Sequence, residues 1–319
     1  MNDIVRFAVR DGALRRNLPL RARLLDALRA FFRGRGFLEV ETPIACASPG
    51  VETHLQAFEL RGAGLFEPRY LTTSPEFHMK RLVAAGFGKV FQVTRAFRAA
   101  ELGDRHNPEF TMVEWYRVGE TYEAIMDDAE ELLWAMGDAV GIEDAPAVEG
   151  LRGPSVLVPP YPRTAFADAF ARAGAGDPFP MAPEDRDQVL VEAVEPTLGH
   201  DTPEFLIEYP ADQASLARVK PGDPRVAERF ELYSGGLELA NGFTELPDAD
   251  EYVARCEADL RERERLGLPA YPIDRRYVSM LRDGLPPCAG VALGFDRVAM
   301  LLLGASTIRD VLAFPFDVA

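Results

Sequence analysis

The chain has 319 residues, 47% hydrophobic and 27% charged, enough for one large globular domain or two ordinary ones with a sizeable core. Its formal net charge of -16 argues against gripping the body of a nucleic acid, which takes a basic footprint. There is no apolar run of about 18 residues to span a membrane, the start lacks the apolar segment of a secretory signal, and Cys46, Cys256 and Cys288 form neither a zinc pattern nor a disulfide framework. A cytoplasmic protein with reduced thiols is expected.

Leu20, Leu24, Leu25, Leu28 and Phe31 recur at helical spacing, which predicts an amphipathic helix over 19–34. "GRGFLEVETP" breaks it and opens a strand ending at Pro43. "YLTTSPEFHMKRLVAAG" reads as a strand passing into a helix that opens near Pro75, with Ser74 as its cap. "KVFQVTRAFR" and "FTMVEWYRVG" are strands joined by a loop. "TYEAIMDDAEELLWAMGDAV" is a helix with Thr121 at its N-cap. Residues from about 144 to 225 are rich in Pro, Gly and Ala, with short helical patterns near 164–173 and 184–195; they read as an insertion or connecting lobe. "RFELYSGGLELANGFTEL" returns to strands, "DADEYVARCEADLRERERLG" is a charged helix, and "CAGVALGFDRVAMLLLG" is a glycine-rich strand running into a helix. Grouped strands with few regular βαβ alternations predict an α+β fold with a mostly antiparallel sheet.

Strand alternation puts Phe110, Met112, Glu114 and Tyr116 on one face, and Gln92, Thr94, Ala96 and Arg98 on one face of the preceding strand. If those faces coincide, an arginine, an aromatic plate, a carboxylate and a phenol share one floor, and the loop adds Glu101, Arg105 and His106. Arginine forks suit phosphate or carboxylate oxygens, and an aromatic plate suits a base. A nucleotide lying on a sheet is the reading this favours over a solvated hairpin with chance charge pairs. No Walker pattern is present, so side chains and metal must handle the phosphates. Glu231 and Glu238 flank "LYSGGL" and offer hard oxygens for magnesium. Gly290 and Gly294 leave a thin strand, and Arg297 falls in the first turn of the next helix. Glu76, Glu114 and Glu245, with Asn241 and Tyr116, exceed what magnesium needs. Buried carboxylates without cations are costly, which points to a substrate bearing two ammonium groups.

Three segments resemble the signature motifs of class II aminoacyl-tRNA synthetases: "GFLEVETP" motif 1, "FRAAELGDRHNPEFTMVEWY" motif 2 and "GVALGFDRVAML" motif 3. "SPEFHMKRL" and "ELYSGGLELANGFTEL" resemble segments of the lysyl branch. The similarity runs from about residue 14 to the C-terminus. Fewer than about 20 residues precede the first helix, too few for the anticodon-binding domain of that branch. The chain is therefore similar to the stand-alone paralogues that attach lysine or (R)-β-lysine to a lysine of elongation factor P, with a single catalytic domain, 1–319.

The resemblance implies ATP and Mg2+ as cofactors, a homodimer with Pro43 at its interface, and no grip on the body of a tRNA. It implies that Arg98 is catalytic and grips the α-phosphate and substrate carboxylate. Arg105 and His106 would hold the outer phosphates, Glu101 and Asn107 would belong to the ATP site, and Phe110 and Arg297 would sandwich adenine. Glu231 and Glu238 would ligate magnesium. Glu76 would take the amine near the reacting carboxylate; Glu114, Tyr116, Asn241 and Glu245 would take the terminal one. Two departures stand out. Ala100 replaces the acid that the lysyl branch carries in motif 2, and Ala292 stands where that branch has glycine, a methyl worth roughly 1–3 kcal/mol of discrimination in a tight pocket. A truncated ligase delivering lysine to tRNA or a small amine, and a non-catalytic regulatory paralogue, are the alternatives.

Overall fold

The computed structural model describes residues 12–62, 67–141 and 157–319; most of the stretch examined for a signal and the first part of the 144–225 segment lie outside the described residues. In chain order the elements are α1 (Ala13–Gly34), β1 (Leu38–Glu39), β2 (Ala45–Cys46), β3 (Glu59–Leu60), β4 (Arg69–Leu71), α2 (Glu76–Ala84), β5 (Lys89–Phe97), β6 (Glu109–Val118) and α3 (Tyr122–Ala139). They continue with β7 (Arg163–Ala165), α4 (Phe166–Arg172), α5 (Pro183–Val189), β8 (Glu204–Ile207), β9 (Arg229–Ser234), β10 (Leu237–Thr244), α6 (Ala249–Arg265), α7 (Arg275–Asp283), β11 (Cys288–Gly294) and α8 (Phe295–Leu303). Eight strands form one sheet in the order β1-β5-β6-β11-β10-β9-β8-β7, and β2-β4-β3 form a small second sheet. Only the outermost pairs of the large sheet, β1 with β5 and β7 with β8, run parallel. This is the mostly antiparallel α+β arrangement expected.

Three local expectations shift. Helix α1 begins upstream of residue 19 with Pro19 inside it. The missing amide costs helix stability, but the extra turns are anchored: Leu14 and Asn17 are buried, and the Asn17 amide donates to the Asp310 carbonyl at 3.0 Å. The motif 1 strand shrinks to two residues, pairing with β5. Thr121 stands at the N-cap of α3, but its hydroxyl bonds the Glu123 carboxylate rather than a backbone amide. Within the described part of the 144–225 segment, β7 and β8 extend the central sheet beside β9.

The sheet has two unlike faces. Phe91, Val113, Trp115, Val291, Leu293 and Leu232 point to the back, where α1, α3 and α8 cover them with Leu28, Phe32, Ile125, Leu133 and Val298. Each such side chain contributes about 1.5–3 kcal/mol on burial, so this layer fixes the register that the front face uses. A second cluster from α2, α6 and α7 closes one end of the front face with Phe77, Met79, Tyr252 and Tyr277. The three cysteines are free and buried; burial pushes the Cys46 thiol up to about 11 and Cys256 to about 12, which leaves them inert.

Candidate active site

The register makes the front face a single chemical floor. Gln92 on β5 lies opposite Glu114 on β6, Glu114 opposite Ala292 on β11, Ala292 opposite Asn241 on β10, and Asn241 opposite Glu231 on β9. Directly opposed residues share a face, so five neighbouring strands deliver one polar row. The adjacent row holds Tyr116, Gly290 and Phe243, and the other side holds Met112 with Gly294 and Phe110 with Ala96. The two strand faces read from the sequence therefore coincide. A Cβ on Gly290 would run into the Tyr116 ring, so the glycine there makes room for the phenol. Above this floor is a cavity of about 360 Å³.

Simple alternation would put Glu238 and Asn241, three residues apart, on opposite faces. They share one because the β9–β10 pairing slips at Leu239: Glu238 pairs with Tyr233 and Ala240 with Leu232. This bulge turns the Glu238 carboxylate into the cavity. The hairpin closes through Gly235 and Gly236, both with positive φ (58° and 70°), as a two-residue turn of the primed type requires. Glu231 accepts from Tyr209 at 2.7 Å, Arg229 at 2.6 Å and Asn241 at 3.2 Å. Burial, then the charge of Glu231, raises Glu238. Two converging hard carboxylates that repel each other are a donor set suited to a divalent cation bridging phosphates.

The loop after β5 carries the cationic side of the cavity. The Arg98 guanidinium lies 5.3 Å from the Phe110 ring centroid; among the described residues its one ion pair is a long 4.0 Å contact with Glu101, and its Nε is buried without a partner. Arg297 donates to the Glu238 carbonyl at 2.8 Å, approaches its carboxylate at 3.3 Å, and meets His106 Nε2 at 2.6 Å. Burial and the Arg297 charge lower His106, which keeps the ring neutral and able to accept. In this structure the cation over Phe110 is thus Arg98, while Arg297 bridges Glu238 and His106. Arg105 is exposed at the rim. Asn107 is tied up locally, accepting from the Phe316 amide at 2.9 Å and donating to the Glu109 carbonyl at 2.6 Å. Ala100 adopts φ 66°, an uncommon conformation for a residue with a Cβ, in the middle of this loop. Asp296, beside Arg297, accepts from the Thr111 amide at 2.7 Å and pairs with Arg21 at 2.6 Å, so it locks α8 to β6 and α1.

The opposite end is anionic and buried. Glu114 accepts from Ser74 at 2.7 Å and from Tyr116 at 2.6 Å. The N-cap of α2 is Pro75 rather than the expected Ser74, because the helix starts one residue later; the Ser74 hydroxyl still accepts from the Glu76 amide at 3.1 Å and lines the cavity. Burial, then Glu76, pushes Glu114 up to about 7, against the pull of its hydrogen bonds. Burial holds Glu245 at about 8 even though Lys80 opposes it. Lys80 itself is 0% exposed and bridges the carboxylates of Glu76 and Glu245; desolvation pulls its value down, but the two acids outweigh it and hold it well above the ordinary lysine range.

A family model described as tRNA synthetases class II (D, K and N) matches residues 4–318. The chain belongs to this class II family. Among similar proteins, the elongation factor P–(R)-β-lysine ligase of Yersinia enterocolitica is 44% identical over 308 residues, 94% of each chain. The protein of the same name from Salmonella gallinarum is 44% identical over 310 residues, 94% of this chain and 95% of the other. That of Yersinia pestis is 43% identical over 312 residues, 95% and 96% of the two chains.

Within this class II core, the residues assigned from the sequence to the ATP, magnesium and amino-acid sites line one cavity, except Glu245, which stands just behind it on Lys80; Gln92, Thr94 and Ala96 of the first strand face, Ala100 and Pro43 are not part of its lining. Two participants escaped sequence reasoning. Lys80 reads as a surface lysine on a helix; its spacing of four from Glu76 was the available signal. Glu52 sits on the loop between β2 and β3, where no periodicity marks it. Burial and Glu76 push its carboxyl up to about 7.

Proposed function

We propose that this protein activates lysine or (R)-β-lysine with ATP and ligates it to a lysine of elongation factor P. The reading rests on relatives of that name aligned along nearly the whole chain. In the molecule one observation carries it: Glu52, Glu76 and Glu114 line the inner part of one cavity with Glu245 just behind it, the carboxyls of Glu52, Glu114 and Glu245 are held up to about 7, 7 and 8, and these acids outnumber the neighbouring cations Lys80 and Arg98. Ammonium groups would relieve that shortage.

The amino acid's carboxylate attacks the α-phosphorus in line, and pyrophosphate leaves to give an acyl-adenylate. The ε-amine of the acceptor lysine, deprotonated, then attacks the acyl carbon; the bond to AMP breaks and the amine loses a proton. The side chains would contribute positioning and charge neutralisation. Arg98, with donors to spare, would hold the reacting carboxylate and α-phosphate. Arg105 and His106 would hold the outer phosphates, and Arg297, released from His106, would cover an adenine resting on Phe110. Glu231 and Glu238 would hold magnesium, which when bound neutralises phosphate charge. Glu76 would face the nearer amine, and Glu114, Tyr116, Asn241 and Glu245 the terminal one. Ala292, between Glu114 and Asn241 in the floor, would trim the space for the amine-bearing carbons and favour the β isomer. The same reading carries a cytoplasmic homodimer with Pro43 at the subunit contact, one catalytic domain with an insertion at 144–225, and no grip on the body of a tRNA.

The test is the intact mass of elongation factor P after incubation with the protein, ATP and each lysine isomer. A gain of one lysyl residue, larger in yield with the β isomer, is expected. Transfer to tRNA with none to elongation factor P would overturn the reading.

A further inference from the structure

Glu52 lines the cavity from a loop that no motif includes, near enough to Glu76 and Arg98 to feel both charges. Its neighbours are spoken for. Glu76 is tied to Lys80, Glu114 to Ser74 and Tyr116, and Glu238 to Arg297. Among the described carboxylates lining the cavity, Glu52 is the one with neither an ion pair nor a hydrogen bond from another side chain, and its Oε2 is buried without a partner. A carboxylate left so in a desolvated place is costly unless a cation arrives.

The loop around it is built to hold still. Arg263, wholly buried on α6, donates from Nη1 to the carbonyls of Glu52 (2.7 Å), Thr53 (3.1 Å) and Leu55 (2.8 Å). The Tyr271 hydroxyl accepts from the Ala57 amide at 2.9 Å, and the Thr53 hydroxyl donates to Asp259 at 3.0 Å. Gly50, at φ 98°, leaves the space that the Glu52 carboxylate occupies; a Cβ there would collide with it. Such support is what a fixed recognition group needs.

We propose that Glu52 receives, together with Glu76, the ammonium nearest the reacting carboxylate of the amino acid, and so selects acids aminated at that end. This deepens the proposed function and rests on it. The position decides which amine. Glu52 lines the cavity beside Arg98, on the side where the reacting carboxylate would lie, whereas Glu114 and Glu245 feel Lys80 at the other end, and Glu76 stands between and acts on all three. With one Glu76 oxygen already engaged by Lys80, a second carboxylate completes the charge balance there.

The test compares wild type with Glu52→Gln, measuring the KM of α- and β-lysine in ATP–pyrophosphate exchange and the inhibition constant of 6-aminohexanoate, which is lysine without the nearer amine. Losing a charged hydrogen-bond partner should raise the KM of both lysines about ten- to hundredfold. Inhibition by 6-aminohexanoate and the KM for ATP should change less than about twofold. Glu52→Asp, which keeps the charge and shortens the reach, should lose selectivity partway and serves if the glutamine variant folds poorly. Equal weakening of lysine and 6-aminohexanoate, or unchanged lysine KM values, would overturn the proposal. If the wild type itself shows no lysine-dependent exchange, the proposed function falls first and this inference goes with it.

Discussion

At the inner end of the cavity, Lys80, Glu114, Tyr116 and Glu245 are 0%, 1%, 2% and 4% exposed, and each is tied to another by a hydrogen bond or ion pair. At the outer end, the side chains of Arg98 and Arg297 keep 28% and 21% of their exposure, and Arg105 stands in solvent. Charges in the inner group act at low effective dielectric; those in the outer group are more exposed to solvent and more strongly screened. The two halves suit different ligands. A small amino acid that must be told from its isomers needs rigid, desolvated partners. A triphosphate brings enough charge and length to engage arginines that are only partly buried.

The largest effect expected from breaking this contrast is at Lys80. Lys80→Met removes the cation shared by two buried acids and should cost about 3–5 kcal/mol in chemical denaturation. A loss below 1 kcal/mol would mean the inner end is wetter than its burial indicates. Arg98→Ala acts on the outer end, where stability should hardly change while pyrophosphate exchange falls roughly 10²–10³-fold. Near-normal exchange would remove Arg98 from its assigned role. The smallest effect is one of pH. Glu114 and Glu245 sit at about 7 and about 8, and ammonium binding needs their anions. Lysine affinity should therefore strengthen as pH rises through 7 to 8 and weaken below, by up to about tenfold per unit for each proton displaced. Folding responds with the opposite sign. Both values are raised from the usual carboxyl 4.5, so the stability these groups contribute when protonated is full below that and lost as pH rises to about 8. A lysine KM that is flat from pH 6 to 9 would show that the inner acids are already ionised.

Much of the floor was legible because β5 and β6 are long, regular and two-faced. Their alternation alone grouped Gln92, Thr94 and Ala96, and Phe110, Met112, Glu114 and Tyr116, and the pairing register then brought the groups together. Periodicity likewise located α8 and placed Arg297 in its first turn. Legibility ended where a residue's role depends on contacts distant in sequence. Lys80 looks solvated until α2 is seen packed against β6 and the Glu245 segment. Asp296, next to Arg297 in the third motif, shows no local sign of its part in holding α8 to β6 and α1, which rests on Arg21 and the Thr111 amide. The start of α1 was missed because Pro19 argues locally against a helix that Asn17 secures through Asp310.

The slip at Leu239 has a consequence for how this strand can vary. Deleting Leu239 outright would even out the ladder and leave Glu238 on the cavity side. Sliding the surplus residue into the hairpin turn instead would set Leu239 opposite Tyr233 and Glu238 opposite Ser234, and the carboxylate would swing to the oily side. Where the surplus residue is absorbed, more than which side chain it carries, is the hazard in this stretch of chain.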